Sequence, residues 1–194
     1  GDRLAVQAAS VSTARPGDNT TGTRYLARVK RIGMELLLLA GIAACWGEAH
    51  SADWPGFLGP RGDGTSPETD LLDQFPADGP RALWSRNIGP GYAAPSVRGE
   101  RLVVFHREGD EEVVEALDAA TGERRWRHAY PSRFEDPYGY NNGPRSAPLL
   151  TTNRCFTFGA EGRLTCLDLE SGGLVWQRET ARDWEVPEAF FGVG

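Results

Sequence analysis

The residues best suited to bind a ligand lie in one stretch, from Tyr130 to Arg145. This stretch combines aromatic, amide and guanidinium side chains, which can stack on a polar ligand and form hydrogen bonds with it. It is also longer than a connection between two strands requires. A loop of this composition can equally pack against itself on the protein surface, so the sequence leaves ligand binding and self-packing as alternatives.

Catalytic and metal-binding patterns are not recognisable in the sequence. The three histidines are far apart, and the three cysteines form no CxxC pair, so we expect no metal site. Neither a serine–histidine–aspartate set nor a pair of carboxylates can be assembled from the residues. The net charge of −6, without a cluster of lysines and arginines, disfavours nucleic acid as a partner.

A repeat with a spacing of fifty residues defines the elements that would position the loop. The segment 116–126 aligns with the segment 166–176. The matched pairs are Leu117 and Leu167, Asp118 and Asp168, Gly122 and Gly172, and Trp126 and Trp176. Each unit reads as four short strands in an antiparallel meander, which agrees with the 24 glycines and 13 prolines scattered along the chain.

The repeated residue types suit structural roles in such a sheet. An aspartate that ends the third strand can accept hydrogen bonds from the backbone N–H groups of the following turn. The glycine supplies the positive φ that a tight turn needs. The tryptophan ring can cover the gap between neighbouring sheets while its N–H finds a backbone acceptor. We therefore assign these residues to building the repeat and not to chemistry.

The repeat predicts an all-β fold, a partial β-propeller. One small sheet cannot cover both of its faces, and stacking similar sheets around an axis covers them. The full units span about 93–130 and 145–180, and Leu83-Trp84 reads as a lone strand that completes a last blade and closes the ring. Two blades cannot close a ring, so we expect residues 53–194 to be the N-terminal part of a propeller with an incomplete third blade. A β-sandwich is the alternative, but it does not explain the repeat.

The pattern Leu-Asp-x-x-[Thr/Ser]-Gly-x-x-x-Trp resembles the repeat of pyrroloquinoline-quinone (PQQ) type propellers, and the resemblance covers about residues 53–194. The segment 53–64 is similar to the start of a bacterial exported subfamily. The resemblance implies a binding or protein-assembly scaffold, similar in architecture to the propeller lipoprotein of the outer-membrane barrel-assembly machinery. It also leaves open a PQQ-dependent alcohol dehydrogenase, including the polyvinyl-alcohol type, with PQQ and Ca²⁺ held by blades beyond these residues. A carbohydrate-binding propeller is the third alternative.

A propeller would bring several loops to one face, because the first strand of each blade lines the central axis. The loops that lead into these strands then surround one mouth of the tunnel. We expect a protein partner, or a polar or carbohydrate ligand, to bind there. The candidate residues are Tyr92, Asn141, Asn142, Arg145 and Phe191.

Residues 1–52 read as an untranslated or leader region and not as part of the fold. A basic stretch at 28–31 precedes nine apolar residues, 36–44, as in a secretory signal peptide spanning about 28–52. The apolar run is shorter than the roughly 20 residues that cross a bilayer. The natural start is predicted at Val29, with Met34 as the alternative.

Export predicts a periplasmic or extracellular protein, and two ways of processing the leader remain open. Cleavage near Ser51 would release the protein, whereas cleavage before Cys45 would leave a lipid-modified cysteine anchored to the outer membrane. Cys155 and Cys166 flank a predicted hairpin. With a two- or four-residue loop they would face each other and could form a disulfide, whereas a three-residue loop with a bulge at Gly162 would separate them.

Overall fold

The computed structural model describes residues 3–7, 52–69, 71–185 and 192. This part of the chain contains ten strands and one short helix. The leader residues 28–51 lie outside this part, and with them Val29, Met34 and Cys45. Phe191 also lies outside it. The first two strands, β1 (Arg3–Gln7) and β2 (Ala82–Asn87), pair antiparallel.

Each of the two predicted repeat units forms a four-stranded antiparallel sheet whose strands follow one another in space as they do in the chain. Blade 1 consists of β3 (Ser96–Arg98), β4 (Arg101–Glu108), β5 (Glu111–Asp118) and β6 (Arg124–Pro131). Blade 2 consists of β7 (Leu149–Leu150), β8 (Arg154–Phe158), β9 (Arg163–Asp168) and β10 (Leu174–Glu179). The helix α1 (Thr180–Asp183) follows β10.

Blade 1 is covered on both faces, which explains why its central strands do not alternate between apolar and polar residues. Six consecutive residues are buried in β4 and six in β5. On one face, Val114 and Ala116 belong to a buried cluster that includes Leu167 of blade 2. On the other face, Leu117 packs with Trp84 of β2. Burying each such aliphatic side chain contributes about 1.5–3 kcal/mol.

The layers therefore follow one another as β2, blade 1 and blade 2, with the first strands β3 and β7 on the same side. The Ser96 hydroxyl on β3 donates a hydrogen bond to the Pro148 carbonyl oxygen just before β7, at 2.5 Å. Sheets stacked face to face, with their first strands together along one edge, are the arrangement of a β-propeller. The predicted fold class, an all-β partial propeller, is confirmed.

The register of β8 and β9 keeps Cys155 and Cys166 apart. Cys155 lies opposite Leu167, and Cys166 lies opposite Phe156. Since neighbouring residues of a strand point to opposite faces, the two cysteines are on different faces of blade 2. The hairpin adopts the three-residue loop, with Gly162 at a φ of +82°. The disulfide that the sequence allows is therefore not formed, and both cysteines are free and buried.

Within the described ranges, no helix is both long and apolar enough to cross a membrane.

Candidate functional site

Trp126 of β6 and Trp84 of β2 each join their sheet to the next one. Nε1 of Trp126 donates a hydrogen bond across the boundary to the Leu169 carbonyl oxygen in blade 2, at 2.9 Å. Nε1 of Trp84 does the same to the Ala119 carbonyl oxygen in blade 1, at 3.0 Å. Each acceptor lies in the turn between the third and fourth strands, so the same contact is made twice in succession.

The repeated glycines lie directly under these rings. A Cβ on Gly172 would come within 2.6 Å of the Trp126 ring, and one on Gly122 within 2.6 Å of the Trp84 ring. Both glycines also have a φ near +70°. The turn requires a residue that adopts a positive φ, and the ring leaves no space for a side chain at the same position. Glycine meets both requirements.

The repeated aspartates hold the same turns from within. Oδ1 of Asp118 accepts hydrogen bonds from the Ala120 and Thr121 N–H groups, each at 3.0 Å, and a hydrogen bond from Arg125 lowers the pKa of Asp118 to about 2. Oδ1 of Asp168 accepts from the Ser171 N–H at 3.0 Å and from its hydroxyl at 2.8 Å. Seven of the repeated residues therefore build blades 1 and 2 or their junction. Trp176 on β10 is 41% exposed.

The long loop after β6 folds against the end of blade 1 around the guanidinium of Arg145. This group lies over the Phe134 ring, 4.5 Å from its centroid, and over the Tyr92 ring at 5.5 Å. It also donates hydrogen bonds to the carbonyl oxygens of Gly143 and of Asn141, the latter at 2.9 Å. The structure thus brings Tyr92 and Arg145 together and adds Phe134.

The two candidate asparagines use their side-chain oxygens inside the loop. Oδ1 of Asn142 accepts the Asp136 N–H, and Oδ1 of Asn141 accepts the Gly143 N–H, both at 2.8 Å. The buried Asp136 carboxylate in turn accepts the N–H groups of Tyr138 at 2.9 Å and Asn141 at 3.2 Å. These asparagines therefore shape the loop, and the self-packing that the sequence left open is present.

Arg107 on β4 anchors the loop, and sequence reasoning missed it. It is only 6% exposed. Its Nη1 donates to the carbonyl oxygens of Phe134 at 2.8 Å and Asn142 at 3.2 Å, its Nη2 to that of Ser132 at 2.9 Å, and its Nε to that of Gly109 at 2.8 Å. An arginine in a strand normally indicates a solvent-facing position, so no signal in the sequence identifies this one.

The loop that leads into β3 packs directly on the long loop. The N–H groups of Tyr92 and Ala93 both donate to the Pro144 carbonyl oxygen, at 2.8 and 3.2 Å. A Cβ on Gly143 would lie 2.0 Å from the Pro90 carbonyl oxygen, so the two backbones touch. The two loops therefore form one continuous surface at this end of the blades.

Aromatic side chains remain exposed on that surface. Tyr138 and Tyr140 are 59% and 75% exposed, and their rings stack with centroids 5.7 Å apart. Tyr92 is exposed as well. We call the residues Tyr92, Tyr138, Tyr140 and Arg145, together with Phe134 beneath them, the loop surface.

The sequence assigned any PQQ and Ca²⁺ to blades beyond these residues. Among the residues that the structure describes, no three His, Cys, Asp or Glu side chains come together as a metal site would need.

The stacked sheets, the tryptophan contacts and the repeat define a β-propeller of the PQQ-like type. The model of the family described as "Outer membrane protein assembly factor BamB" matches residues 71–188, more than half of the chain. The chain belongs to this family. A search of the curated proteins gave no match.

Three solved structures are similar to part of this chain. BamB from Moraxella catarrhalis is 25% identical, with 50% of this chain and 27% of that chain covered and a TM-score of 0.37. A quinohemoprotein alcohol dehydrogenase from Comamonas testosteroni is 26% identical, with 48% and 14% covered and a TM-score of 0.36. A europium-containing methanol dehydrogenase is 18% identical, with 52% and 19% covered and a TM-score of 0.40. The chain thus spans about a quarter or less of the length of these structures.

Proposed function

We propose that the protein is an exported propeller scaffold that binds a partner protein of outer-membrane assembly through its loop surface. The observation that carries the proposal is the exposed pair Tyr138 and Tyr140, on a loop whose backbone is held by Arg107 of β4. Exposed tyrosines are enriched where proteins bind one another, because their rings bury a large area at little cost in conformational entropy.

The loop is suited to this role because its shape does not depend on a partner. Asp136, Asn142 and Arg107 hold its backbone through hydrogen bonds made within the chain. A surface that is ordered before binding loses less entropy on association. The family, whose description names an outer-membrane assembly factor, supports the class of partner that we propose.

The test is co-purification of the full-length protein with the barrel-assembly proteins of its own organism. We expect the double variant Tyr138→Ala/Tyr140→Ala to lose most of the bound partner. The matched control, Tyr138→Phe/Tyr140→Phe, keeps the rings and should retain it. Equal recovery with wild type and the alanine variant would remove the proposal. Dye-linked alcohol oxidation after addition of PQQ and Ca²⁺ would instead support a dehydrogenase.

A carbohydrate ligand is the second candidate, and the stacked tyrosine pair favours it. A pyranose ring can lie on a tyrosine ring, and the neighbouring polar groups can bind its hydroxyls. Titration with soluble cell-envelope oligosaccharides, followed by tyrosine fluorescence, tests this candidate. Saturable binding that the alanine variant loses, without any protein co-purifying, would favour carbohydrate over a protein partner.

For the location of the protein, we propose export with Cys45 as the membrane anchor or with release after cleavage near Ser51. Mass spectrometry of the mature N-terminus distinguishes the two. A lipid-modified Cys45 that Cys45→Ser abolishes would show anchoring, and an unmodified N-terminus near Ala52 would show release. An uncleaved N-terminus retained in the cytoplasm would contradict both.

A further inference from the structure

The short segment Asp53–Gly56 lies along the inner edge of both blades. Trp54 pairs with Val97 of β3 as an antiparallel bridge, with both N···O distances at 2.9 Å. The next residue, Pro55, accepts the N–H of Leu150 on β7 at 2.7 Å. Two successive residues of the segment therefore bond to two successive blades.

The edge used here is the one that faces the propeller axis. Val97 lies opposite Leu102 of β4 on one side, and Leu150 lies opposite Cys155 of β8. The hydrogen bonds to Trp54 and Pro55 are on the other side of these first strands, where a propeller has its central channel. Without the segment, this edge would present unpaired backbone groups.

Further contacts fix the segment at one end of the blades. Oδ1 of Asp53 accepts the Gly99 N–H at 2.7 Å, in the turn between β3 and β4. A Cβ on Gly56 would lie 3.1 Å from Leu149, and one on Gly59 within 2.9 Å of the Trp54 ring. The loop surface is anchored at Arg107, at the opposite end of β4 and about 20 Å away along the strand.

We propose that Asp53–Gly56 is a strap that closes the end of the central channel opposite the loop surface. It adds backbone hydrogen bonds on the axis side of blades 1 and 2 and occupies groups that would otherwise line the channel there. A ligand that reaches the axis then enters from the end that carries the loop surface. The proposal stands on the backbone geometry and does not depend on which partner the loop surface binds.

Amide hydrogen exchange on the full-length protein tests the strap. In wild type, the Val97, Gly99 and Leu150 amides should exchange slowly, because the strap accepts their hydrogen bonds. In Asp53→Ala/Trp54→Ala they should exchange at least about tenfold faster, as expected when a local opening becomes easier by about 1.4 kcal/mol. The β5 amides, away from the strap, should not change. Unchanged exchange at Val97 and Leu150 would overturn the proposal.

A cross-link gives a second readout in a chain that keeps Asp53 and Trp54. Gly56→Cys combined with Leu149→Cys should be joined by a short bifunctional thiol reagent, because a Cβ on Gly56 would lie 3.1 Å from Cδ1 of Leu149. The control places the first cysteine at Gly64, where a Cβ would meet no atom within 4 Å. A cross-linked peptide found by mass spectrometry for the Gly56 pair alone supports the strap. No cross-link, or equal cross-linking of both pairs, contradicts it.

Discussion

Glu112 and Glu115 lie three residues apart on β5 and point to opposite faces of blade 1, each toward a different neighbouring layer. Glu112 accepts the Ala160 N–H of blade 2 at 2.8 Å. Glu115 accepts hydrogen bonds from Arg86 of β2, at 3.0 and 3.1 Å. Both side chains are almost fully buried. One strand thus places a carboxylate in each of the two layer boundaries, in opposite electrostatic surroundings.

Replacing Glu112 by glutamine should reduce the change of folding stability with pH. Burial raises the pKa of Glu112 above its usual value, against the hydrogen bond from Ala160. A raised folded pKa means that the ionised form is disfavoured, so this group's contribution to stability is lost as pH rises above about 4.5. Glutamine keeps the acceptor for Ala160 and does not ionise.

Urea unfolding between pH 4 and 8 measures the effect. The free energy of unfolding of Glu112→Gln should increase relative to that of wild type as the pH rises. Glu135→Gln, at an exposed position, is the control and should follow wild type. A constant difference across this range would show that Glu112 does not titrate differently in the folded state.

Replacing Glu115 by glutamine should have the opposite dependence. Burial opposes ionisation here, but His106, Arg124 and Arg86 outweigh it and lower the pKa of Glu115 to about 2. The contribution of Glu115 to folding stability is therefore present above about pH 4.5 and is lost as the pH falls toward 2. At pH 7 we expect a loss of about 2 kcal/mol, the magnitude of a hydrogen bond to a charged group.

The comparison for Glu115 is Glu111→Gln on the same strand. Glu111 pairs with Arg127 at the surface, at 3.1 Å, and its replacement should cost about 1 kcal/mol or less. Denaturation at pH 7 and at pH 4 measures both variants. If Glu115→Gln lost no more stability than Glu111→Gln at pH 7, the ionised Glu115 carboxylate would not stabilise the contact between β2 and blade 1.

Trp126→Phe should weaken the junction between the blades. The ring still packs, but the Leu169 carbonyl oxygen loses its buried donor, which costs about 1–3 kcal/mol. Thermal or urea unfolding measures the loss. Trp184→Phe is the matched control, since Trp184 is 69% exposed and its replacement should change stability by about 0.5 kcal/mol or less. Equal effects at the two positions would contradict a role for the hydrogen bond.

Arg107→Met should release the long loop without unfolding blade 1. The carbonyl oxygens of Ser132, Phe134 and Asn142 lose their common donor, so local opening becomes easier. Limited digestion with trypsin should then cut after the exposed Arg133 about tenfold faster. Cleavage after Arg61, in a separate turn, serves as the internal control. An unchanged rate at Arg133 would show that other contacts hold the loop.

Thiol titration of the exported, denatured protein checks the register of β8 and β9. Cys155 and Cys166 should both react as free thiols, because they lie on opposite faces of blade 2. In the folded protein Cys155 should react slowly, since burial raises the pKa of its thiol to about 12. A Cys155–Cys166 disulfide in the mass spectrum would show that the hairpin pairs in a different register.

The sequence alone determined the repeat and the all-β propeller. Leu117, Asp118, Gly122 and Trp126 recur fifty residues later, and their roles in turns and strands are local, so the pattern in the chain is sufficient to predict them. It also indicated that Tyr92 and Arg145 share one end of the blades, because the order of strands within a blade sets which loops meet.

Only the tertiary structure decided which polar groups are buried and where the strap lies. Arg107, Glu112 and Glu115 are spaced like ordinary strand residues, and their burial depends on loops and sheets distant in sequence. The pairing of Trp54 with Val97 joins residues more than forty apart, and no periodicity signals it. The choice between the two hairpin loops at Gly162 likewise depends on the register of β8 and β9, because a shift of one residue reverses which face a cysteine occupies.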